Sequence, residues 1–431
     1  EVTLIDEHVE KINTDDEPDL VVIQVYITNA YRAYRIADIY RQKKVFVALG
    51  GLHVTTMPME AEQHADAIFL GPGEDTFPKF LADFRNKKPL KRYYSTERSL
   101  LNAPYPRRDL IKNNLYLVPN SIVVSRGCPH HCNFCYKDSF FAGGKSFYVQ
   151  RVDRILAEIE SLSGRYLYFL DDHLFADSKF INMLFEGMKG MKKVFQAAGT
   201  VQSVLSGNTV EKAYEAGLRS LFIGFETLSI ENMRQSRKFH NAGHQYSGAV
   251  KRLHDLNIMI NASFVFGFDH DKPEVFKNTV DWAVNQSVTT ATFHILTPYP
   301  GTLLYEELLS GGRIISHNWD LYDTRHPVFQ PKGMTTEELE SGYWWAYRSF
   351  YSWSNILKSV AGHDQMVQTI RHLVYTVGWK KMEFLWGMII KSKQIRQMRP
   401  VLEKLLKSNK ASTGKNIQLD TVMSENNMRI A

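Results

Sequence analysis

Short apolar runs alternate with helical patterns over the first 90 residues. The runs are Val2–Ile5, Leu20–Val25, Val45–Leu49 and Ala67–Leu70, and a helical period covers about 30–42. Strands that alternate with helices are typical of a parallel, doubly wound α/β sheet. Ligands bind such sheets beyond the carboxyl ends of the strands. The sequence places Thr28, a Gly50-Gly51-Leu52-His53 turn and a Gly71-Pro72-Gly73-Glu74 turn at these ends.

The same alternation returns after residue 120. Six apolar runs follow at Ser121–Ser125, Tyr166–Leu170, Val194–Ala197, Ser220–Gly224, Ile260–Val265 and Thr290–Ile295, with helical patterns between them, as at Val152–Leu162 and Thr209–Ala216. This pattern predicts six βα units. Residues 91–120 have no sustained period and are interpreted as a linker.

Beyond Gly301 the pattern changes to helices crowded with aromatic residues, as in Tyr343–Trp353. Such stripes are more often core than substrate contacts, although both interpretations stay open. We therefore expect a doubly wound domain at 1–90, a linker at 91–120, an α/β domain at 121–330 and a helical domain at 331–431.

Composition and charge restrict the partners. The chain has 431 residues, 44% of them hydrophobic, and a formal charge of +6, so we expect a two- or three-domain protein with no nucleic-acid partner. Between residues 380 and 410 there are nine Lys and Arg but two Glu, together with Phe384 and Trp386. This segment is interpreted as a packed helix with a solvated basic face. The alternative is that this segment, together with Trp379, lies on a membrane surface.

All three cysteines lie within eight positions, at Cys128, Cys132 and Cys135. A C-x3-C-x2-C spacing directly after an apolar strand can ligate three irons of a cubane cluster and leave the fourth iron open. A zinc site that recruits His130 or His131 is the alternative. Because no cysteine remains for a disulfide, we expect a reducing, cytoplasmic location.

This cysteine loop resembles the signature of the radical S-adenosylmethionine (SAM) superfamily. Phe134 stands before the third cysteine, where the superfamily usually has an aromatic residue beside the adenine. The resemblance implies a partial (β/α)6 barrel, a 4Fe-4S cluster held by the three cysteines, and SAM on the open iron. It also implies reductive cleavage of SAM to a 5′-deoxyadenosyl radical and an electron donor such as flavodoxin or ferredoxin.

The resemblance also implies which residues contact SAM. Asp171 or Asp172 stands where many members have a Gly-Gly-Glu turn that holds the methionine amine, although Asp172 can instead cap a helix. Glu226 resembles the glutamate that contacts the ribose or methionine part. Gln202 completes the polar lining, and Gly267 allows close backbone approach to the adenine.

The first 90 residues resemble the cobalamin-binding domain that precedes the barrel in one class of these enzymes. The implied cobalamin contacts are Thr28, Gly50, Gly51, His53, Gly71 and Glu74. There is no D-x-H-x-x-G motif, so we expect no histidine in place of the lower base, and Pro72 stands where the class commonly has glutamate. The first strand and helix of the domain are expected to lie outside this sequence. The alternative is a flavodoxin-like cap that binds nothing.

These resemblances imply an enzyme that methylates an unactivated carbon of a large apolar small molecule or lipid with the help of cobalamin. An oxidative cyclase like the anaerobic magnesium-protoporphyrin enzyme is a second expectation. A non-catalytic cluster or cobalamin sensor is a third, from another class. The basic end adds peripheral membrane contact as an expectation.

Overall fold

The computed structural model describes residues 1–95, 99–101, 103–116, 120–140, 145–238 and 245–381. Residues 1–111 and 118–383 belong to one compact unit. The basic segment with Phe384 and Trp386 lies outside the described residues, as does the part of the predicted helical domain 331–431 that follows residue 381.

A four-stranded parallel sheet forms the amino-terminal part, in the order β1-β2-β3-β4. The strands are β1 (Leu20–Gln24), β2 (Phe46–Gly50), β3 (Ala67–Leu70) and β4 (Arg92–Tyr94), and the helices are α1 (Ala30–Gln42), α2 (Leu52–Thr56), α3 (Pro58–Ala61) and α4 (Thr76–Arg85). The prediction of a doubly wound sheet is confirmed. Strand β4 falls inside the predicted linker, where Ile68 pairs with Arg92.

The prediction of a strand at Val2–Ile5 is wrong. These residues adopt no regular structure, and Val2, Leu4 and Ile5 are exposed. Strand β1 lies at the edge of the sheet and pairs only with β2 among the described residues. An apolar run becomes a strand only when a neighbouring strand takes up its backbone groups, and no strand in the described part of the chain pairs with Val2–Ile5.

The second sheet has six parallel strands in the order β12-β11-β10-β9-β8-β5, so it is open between its two edges. The strands of this part of the chain are β5 (Ser121–Ile122), β6 (Ser125–Gly127), β7 (Phe147–Val149), β8 (Tyr166–Phe169), β9 (Val194–Gly199), β10 (Leu218–Glu226), β11 (Met259–Phe266) and β12 (Thr290–Ile295). The partial six-stranded barrel is thereby confirmed. The predicted strand at Ser121–Ser125 is split, because β6 leaves the sheet and pairs antiparallel with β7.

Helices surround this sheet and bury its apolar face. They are α5 (Lys137–Phe140), α6 (Val152–Ser161), α7 (Ser178–Met188), α8 (Val201–Leu205), α9 (Thr209–Ala216), α10 (Ile230–Gln235), α11 (Tyr246–Asp255), α12 (Glu274–Asn285) and α13 (Leu303–Ser310), followed by α14 (Thr336–Phe350), α15 (Trp353–Ala361), α16 (Met366–Tyr375) and a π-helical turn at Thr376–Lys381. The core runs along the strands through Phe169, Phe225, Phe264 and Phe293.

Helix α14 packs on the edge strand β12. Tyr343 and Phe350 are buried in the core of the second sheet. Just past the helix, the Tyr351 hydroxyl donates to the Ala291 carbonyl at 2.8 Å. Trp344 remains exposed. The aromatic segment is therefore divided between core positions and surface positions.

Helix α16 covers the end of the sheet opposite to the cysteine loop, and it does so with polar side chains. The Gln368 amide donates to the His254 carbonyl at 2.8 Å. His363 and His372 share a hydrogen bond of 2.7 Å between their ring nitrogens. Burial lowers the pKa of His254 to about 4 and that of His372 to about 3, so these rings are neutral at pH 7.

Candidate active site

The three cysteines lie on a loop between β6 and α5, at the carboxyl end of the second sheet. The Cys135 N–H donates to the Cys132 carbonyl at 3.1 Å, which closes the loop into a turn. All three cysteines are half-buried. Burial raises the pKa of each thiol, that of Cys135 to about 11. Iron binding therefore has to displace these protons, since the thiolate is the ligand.

The arrangement fits a cubane cluster better than a single zinc ion. In the described part of the chain no three His, Cys, Asp or Glu side chains come close enough together to hold one metal ion. A cubane places its three cysteine ligands on three different irons, so the sulfurs need not converge. His130 stacks on His173 with ring centroids 5.6 Å apart, and His131 contacts Asp138 at 3.1 Å.

Two carboxylates that follow β8 hold the backbone on which the cysteine loop is mounted. Asp171 Oδ1 accepts hydrogen bonds from the Val124 N–H at 3.1 Å and the Ser125 hydroxyl at 2.5 Å. Asp172 accepts from the Gly127 N–H and the Tyr136 hydroxyl, both at 3.0 Å. The structure thus gives both residues an anchoring role, whereas their contact with the SAM amine stays a prediction.

Asp171 also carries a buried oxygen without a hydrogen-bond partner, Oδ2. Burial raises the pKa of this carboxyl group to about 7, against the hydrogen bonds to Oδ1 that lower it. An orphaned oxygen this deep is uncommon and is satisfied by a bound polar group or by a proton.

A buried ion pair stands at the end of β10. The Lys238 ammonium lies 2.6 Å from Glu226 Oε1, and the side chains are 9% and 13% exposed. Glu226 has a φ of +63°, and a β-bulge falls between Gly224 and Glu226. A β-carbon at Gly224 would clash with Glu226 Oε1, so a larger residue there would displace the Glu226 carboxylate from its present position. Such strain at a non-glycine residue is typical of functional sites.

Lys238 is a candidate site residue that sequence reasoning missed. Burial lowers the pKa of the Lys238 ammonium, but the charges of the Glu226 carboxylate and of the nearby cysteines in their thiolate form raise this pKa by more, so the net shift is upward. Lys238 follows α10 in a basic stretch that has no distinguishing pattern. Only the tertiary structure brings this cation beside the cysteine loop.

His173 is a second residue that was missed. It directly follows Asp172, and burial lowers the pKa of its ring to about 3, as it lowers that of His130 to about 4. Its Nδ1 atom is buried without a hydrogen-bond partner. A neutral imidazole with a free nitrogen can accept a hydrogen bond from a cationic ligand group. Its position in the Asp171-Asp172-His173 turn was the available signal.

The remaining predicted SAM residues are differently placed. Phe134 packs edge-on against Phe268, with ring centroids 6.1 Å apart. Gln202 is exposed in the first turn of α8. The Gly267 N–H donates to Asp271 at 2.9 Å, and a β-carbon there would meet Leu339 at 3.0 Å. Packing against α14 thus accounts for this glycine, and its approach to adenine stays a prediction.

In the amino-terminal sheet, Thr55 joins the two turns predicted to hold cobalamin. Its hydroxyl donates to the Gly51 carbonyl at 2.9 Å and accepts from the Gly71 N–H at 3.0 Å. Gly50, Gly51 and Gly71 therefore lie together at the carboxyl ends of β2 and β3, as predicted for parallel neighbours. Thr28 is exposed beyond the end of β1. Thr55 itself was not singled out from the sequence.

His53 points away from these strand ends. It is buried, its Nε2 atom lies 3.1 Å from Glu60 Oε1, and its ring contacts Trp319 with centroids 5.4 Å apart. Glu60 also accepts from the Trp319 indole N–H at 3.0 Å. The side chain of His53 is thus part of the contact between the two sheets' domains, and only its backbone remains at the turn.

Two contacts join the predicted cobalamin turns to the cysteine loop. Glu74 forms an ion pair with Arg126, which lies two residues before Cys128. On the other side, Gly301 lies between Thr56 of α2 and Ser139 of α5. The approach is so close that a β-carbon at Gly301 would lie 3.1 Å from Thr56 and 2.9 Å from Ser139 Oγ. The carboxyl ends of both sheets therefore face one shared region.

Comparison with known proteins agrees with this division. The family model for the B12 binding domain matches residues 1–81, and the model for the Radical SAM superfamily matches residues 122–283. The bacteriochlorophyllide d C-12(1)-methyltransferase of Chlorobaculum tepidum is 30% identical over 362 residues, covering 80% of this chain and 77% of that protein. The C-8(2)-methyltransferase of the same organism is 27% identical and covers 88% of each chain.

A solved structure shares the fold. The radical SAM methyltransferase TsrM from Kitasatospora setae, determined with cobalamin and a [4Fe-4S] cluster bound, superposes with a TM-score of 0.62 over 90% of both chains at 13% identity. Both domains and their order along the chain are thus those of a known architecture.

Proposed function

The chain belongs to the radical SAM enzymes that carry a cobalamin-binding domain, and from this we propose that it methylates an unactivated carbon of a tetrapyrrole-class substrate. It is an enzyme of the methyltransferase group that uses a 4Fe-4S cluster, SAM and cobalamin. The two bacteriochlorophyllide methyltransferases support the substrate class, since both cover more than two thirds of this chain.

The pairing of Arg126 with Glu74 is the observation that carries the proposal. It joins the strand that enters the cysteine loop to a turn at the cobalamin end of the first sheet. A methyl transfer between two cofactors and one substrate requires that all three reach one space. Helix α14 covers the β12 edge, so we infer that a large ring reaches this space from the carboxyl ends of the strands.

When bound, the cluster, SAM and cobalamin together supply hydrogen-atom abstraction and a methyl group. Residues of this chain hold and orient them. The three cysteines would hold the cluster, while Asp171 and Asp172 hold the cysteine loop in place through their hydrogen bonds to the backbone that leads into it and to Tyr136. We infer that Glu226 and His173 accept hydrogen bonds from SAM, and that Lys238 fixes the carboxylate of Glu226 for this purpose.

An isotope experiment tests the proposal. Protein reconstituted without oxygen with iron, sulfide and cobalamin is incubated with SAM labelled in its methyl group, a low-potential reductant and a bacteriochlorophyllide. We expect the label in the product together with 5′-deoxyadenosine. An unlabelled, oxidised ring product would instead identify a cyclase. Absence of 5′-deoxyadenosine with cluster and cobalamin both bound would support the sensor hypothesis.

A small acidic electron carrier such as flavodoxin or ferredoxin is the donor we propose, since the cluster must be reduced for each SAM cleaved. Replacement of a chemical reductant by reduced flavodoxin should sustain 5′-deoxyadenosine formation. If neither flavodoxin nor ferredoxin sustains the reaction while the chemical reductant does, the proposed electron donor is wrong and the proposed methylation is unaffected.

A further inference from the structure

We propose that helices α15 and α16 form a peripheral docking surface for an anionic lipid bilayer, separate from the catalytic site. The observation is that α16 has its polar side turned inward. Its buried residues are Gln368 and His372, whereas Met366, Ile370 and Val374 are 74%, 55% and 44% exposed. A surface helix of a globular protein normally buries its apolar side and exposes its polar side.

Hydrogen bonds of the inward-facing side chains prevent α16 from rotating about its axis to bury its apolar side. Gln368 donates to the His254 carbonyl at 2.8 Å, and His372 bonds His363 at 2.7 Å. Just past the helix, the Thr376 hydroxyl donates to the Thr289 carbonyl at 2.8 Å. These polar contacts hold the helix against the end of the second sheet. Its apolar residues recur every three to four positions and therefore share the opposite side.

Helix α15 extends this surface. It packs against α16, buries Ile356 and Val360, and exposes Trp353 and Leu357 one turn apart, at 53% and 58%. Lys358 beside them is also exposed. Exposed apolar residues with a tryptophan and a neighbouring lysine are typical of helices that lie in the headgroup region of a membrane.

Charge and size favour a bilayer over a second copy of the chain. The sequence directly after α16 carries nine Lys and Arg against two Glu between residues 380 and 410, which matches an anionic surface. The exposed apolar set on the two helices comprises Trp353, Leu357, Met366, Val367, Ile370 and Val374. A stable protein interface uses about 20 to 30 residues on each side, several times this number. No helix in the described ranges is long and apolar enough to cross a membrane.

Vesicle flotation with the full chain tests the proposal. Binding is compared for vesicles of phosphatidylcholine alone and of phosphatidylcholine with phosphatidylglycerol. We expect binding to the anionic vesicles that weakens with added salt. The double variant Ile370→Ser/Val374→Ser should lower the partition coefficient by about tenfold or more, from the lost apolar area. The matched control Leu303→Ser/Leu309→Ser removes two comparably exposed residues of α13 and should leave binding unchanged.

Two results would overturn the proposal. One is equal vesicle binding by the wild type and the α16 variant. The other is a dimer in solution, measured by light scattering, that the α16 variant dissociates, since a second copy would then cover the surface. Flotation requires neither cluster nor SAM, so its failure is distinguishable from failure of the methylation assay.

Discussion

Removal of the Lys238 cation is the perturbation that tests the buried ion pair most directly. In Lys238→Met the Glu226 carboxylate, which is 13% exposed and 2.6 Å from the ammonium, loses its counter-charge. Removal of one partner of a buried pair costs about 3 to 5 kcal/mol, because the remaining charge stays desolvated. We therefore expect a clearly lower urea midpoint for the unfolding of the cluster-free protein.

The control is Lys251→Met, which breaks the exposed pair with Asp255 at 2.8 Å. Solvent screens this pair, so no measurable shift is expected. The double variant Lys238→Met/Glu226→Leu removes both charges and should recover most of the lost stability.

A functional readout separates the role of the Lys238–Glu226 pair in SAM binding from its contribution to stability. SAM affinity, measured by equilibrium dialysis on the reconstituted protein, should fall in Lys238→Met and stay low in the double variant, although the fold is restored there. The reasoning is refuted if Lys238→Met unfolds at the same urea concentration as the wild type. It is also refuted if the double variant binds SAM like the wild type.

Three further predictions concern the loop, the cobalamin turns and the base of the sheet. Asp172→Asn should lower the iron bound per chain after reconstitution, because an amide cannot accept both hydrogen bonds that its carboxylate accepts; unchanged iron content would contradict the anchoring role. Thr55→Val should weaken cobalamin binding severalfold in an absorbance titration, whereas Thr56→Val, whose hydroxyl bonds only its own helix, should not. Burial holds the pKa of His372 at about 3 and that of His254 at about 4. The unfolded chain therefore takes up more protons than the folded chain below about pH 6.5. The free energy of unfolding should fall as the pH is lowered, by about 1.4 kcal/mol per histidine at pH 5.5. His372→Gln should make this dependence on pH less steep in urea titrations, and an unchanged dependence would refute the role of His372.

Much of the architecture could be predicted because it depends on local pattern. Strand β3 and helices α1 and α9 begin and end where the apolar periods do. The run Val2–Ile5 failed for a physical reason, since a strand requires a partner and the pattern alone does not supply one. Strand β4 was missed because three residues between polar neighbours show no period.

The candidate site divides in the same way. The cysteine spacing and the glycine turns are contiguous, so the sequence by itself predicted the cluster ligands and the two cofactor-binding ends. Lys238 and His173 depend on which chain segments meet beside the loop, and a linear pattern does not contain that information. Asp171 and Asp172 follow strand β8, as the sequence predicted, but only the fold revealed that their oxygens hold β6 and Tyr136.

The sequence determined a three-cysteine loop on an α/β sheet, preceded by a second sheet with glycine turns, because hydrophobic period and ligand spacing are local properties. The tertiary structure decided how those parts are joined and charged. It placed Arg126 on Glu74 and Lys238 on Glu226, and it turned the polar side of α16 toward the sheet. Each of these contacts depends on burial and on the distance between residues far apart in the chain, because removal from water changes the energy of charged and polar interactions.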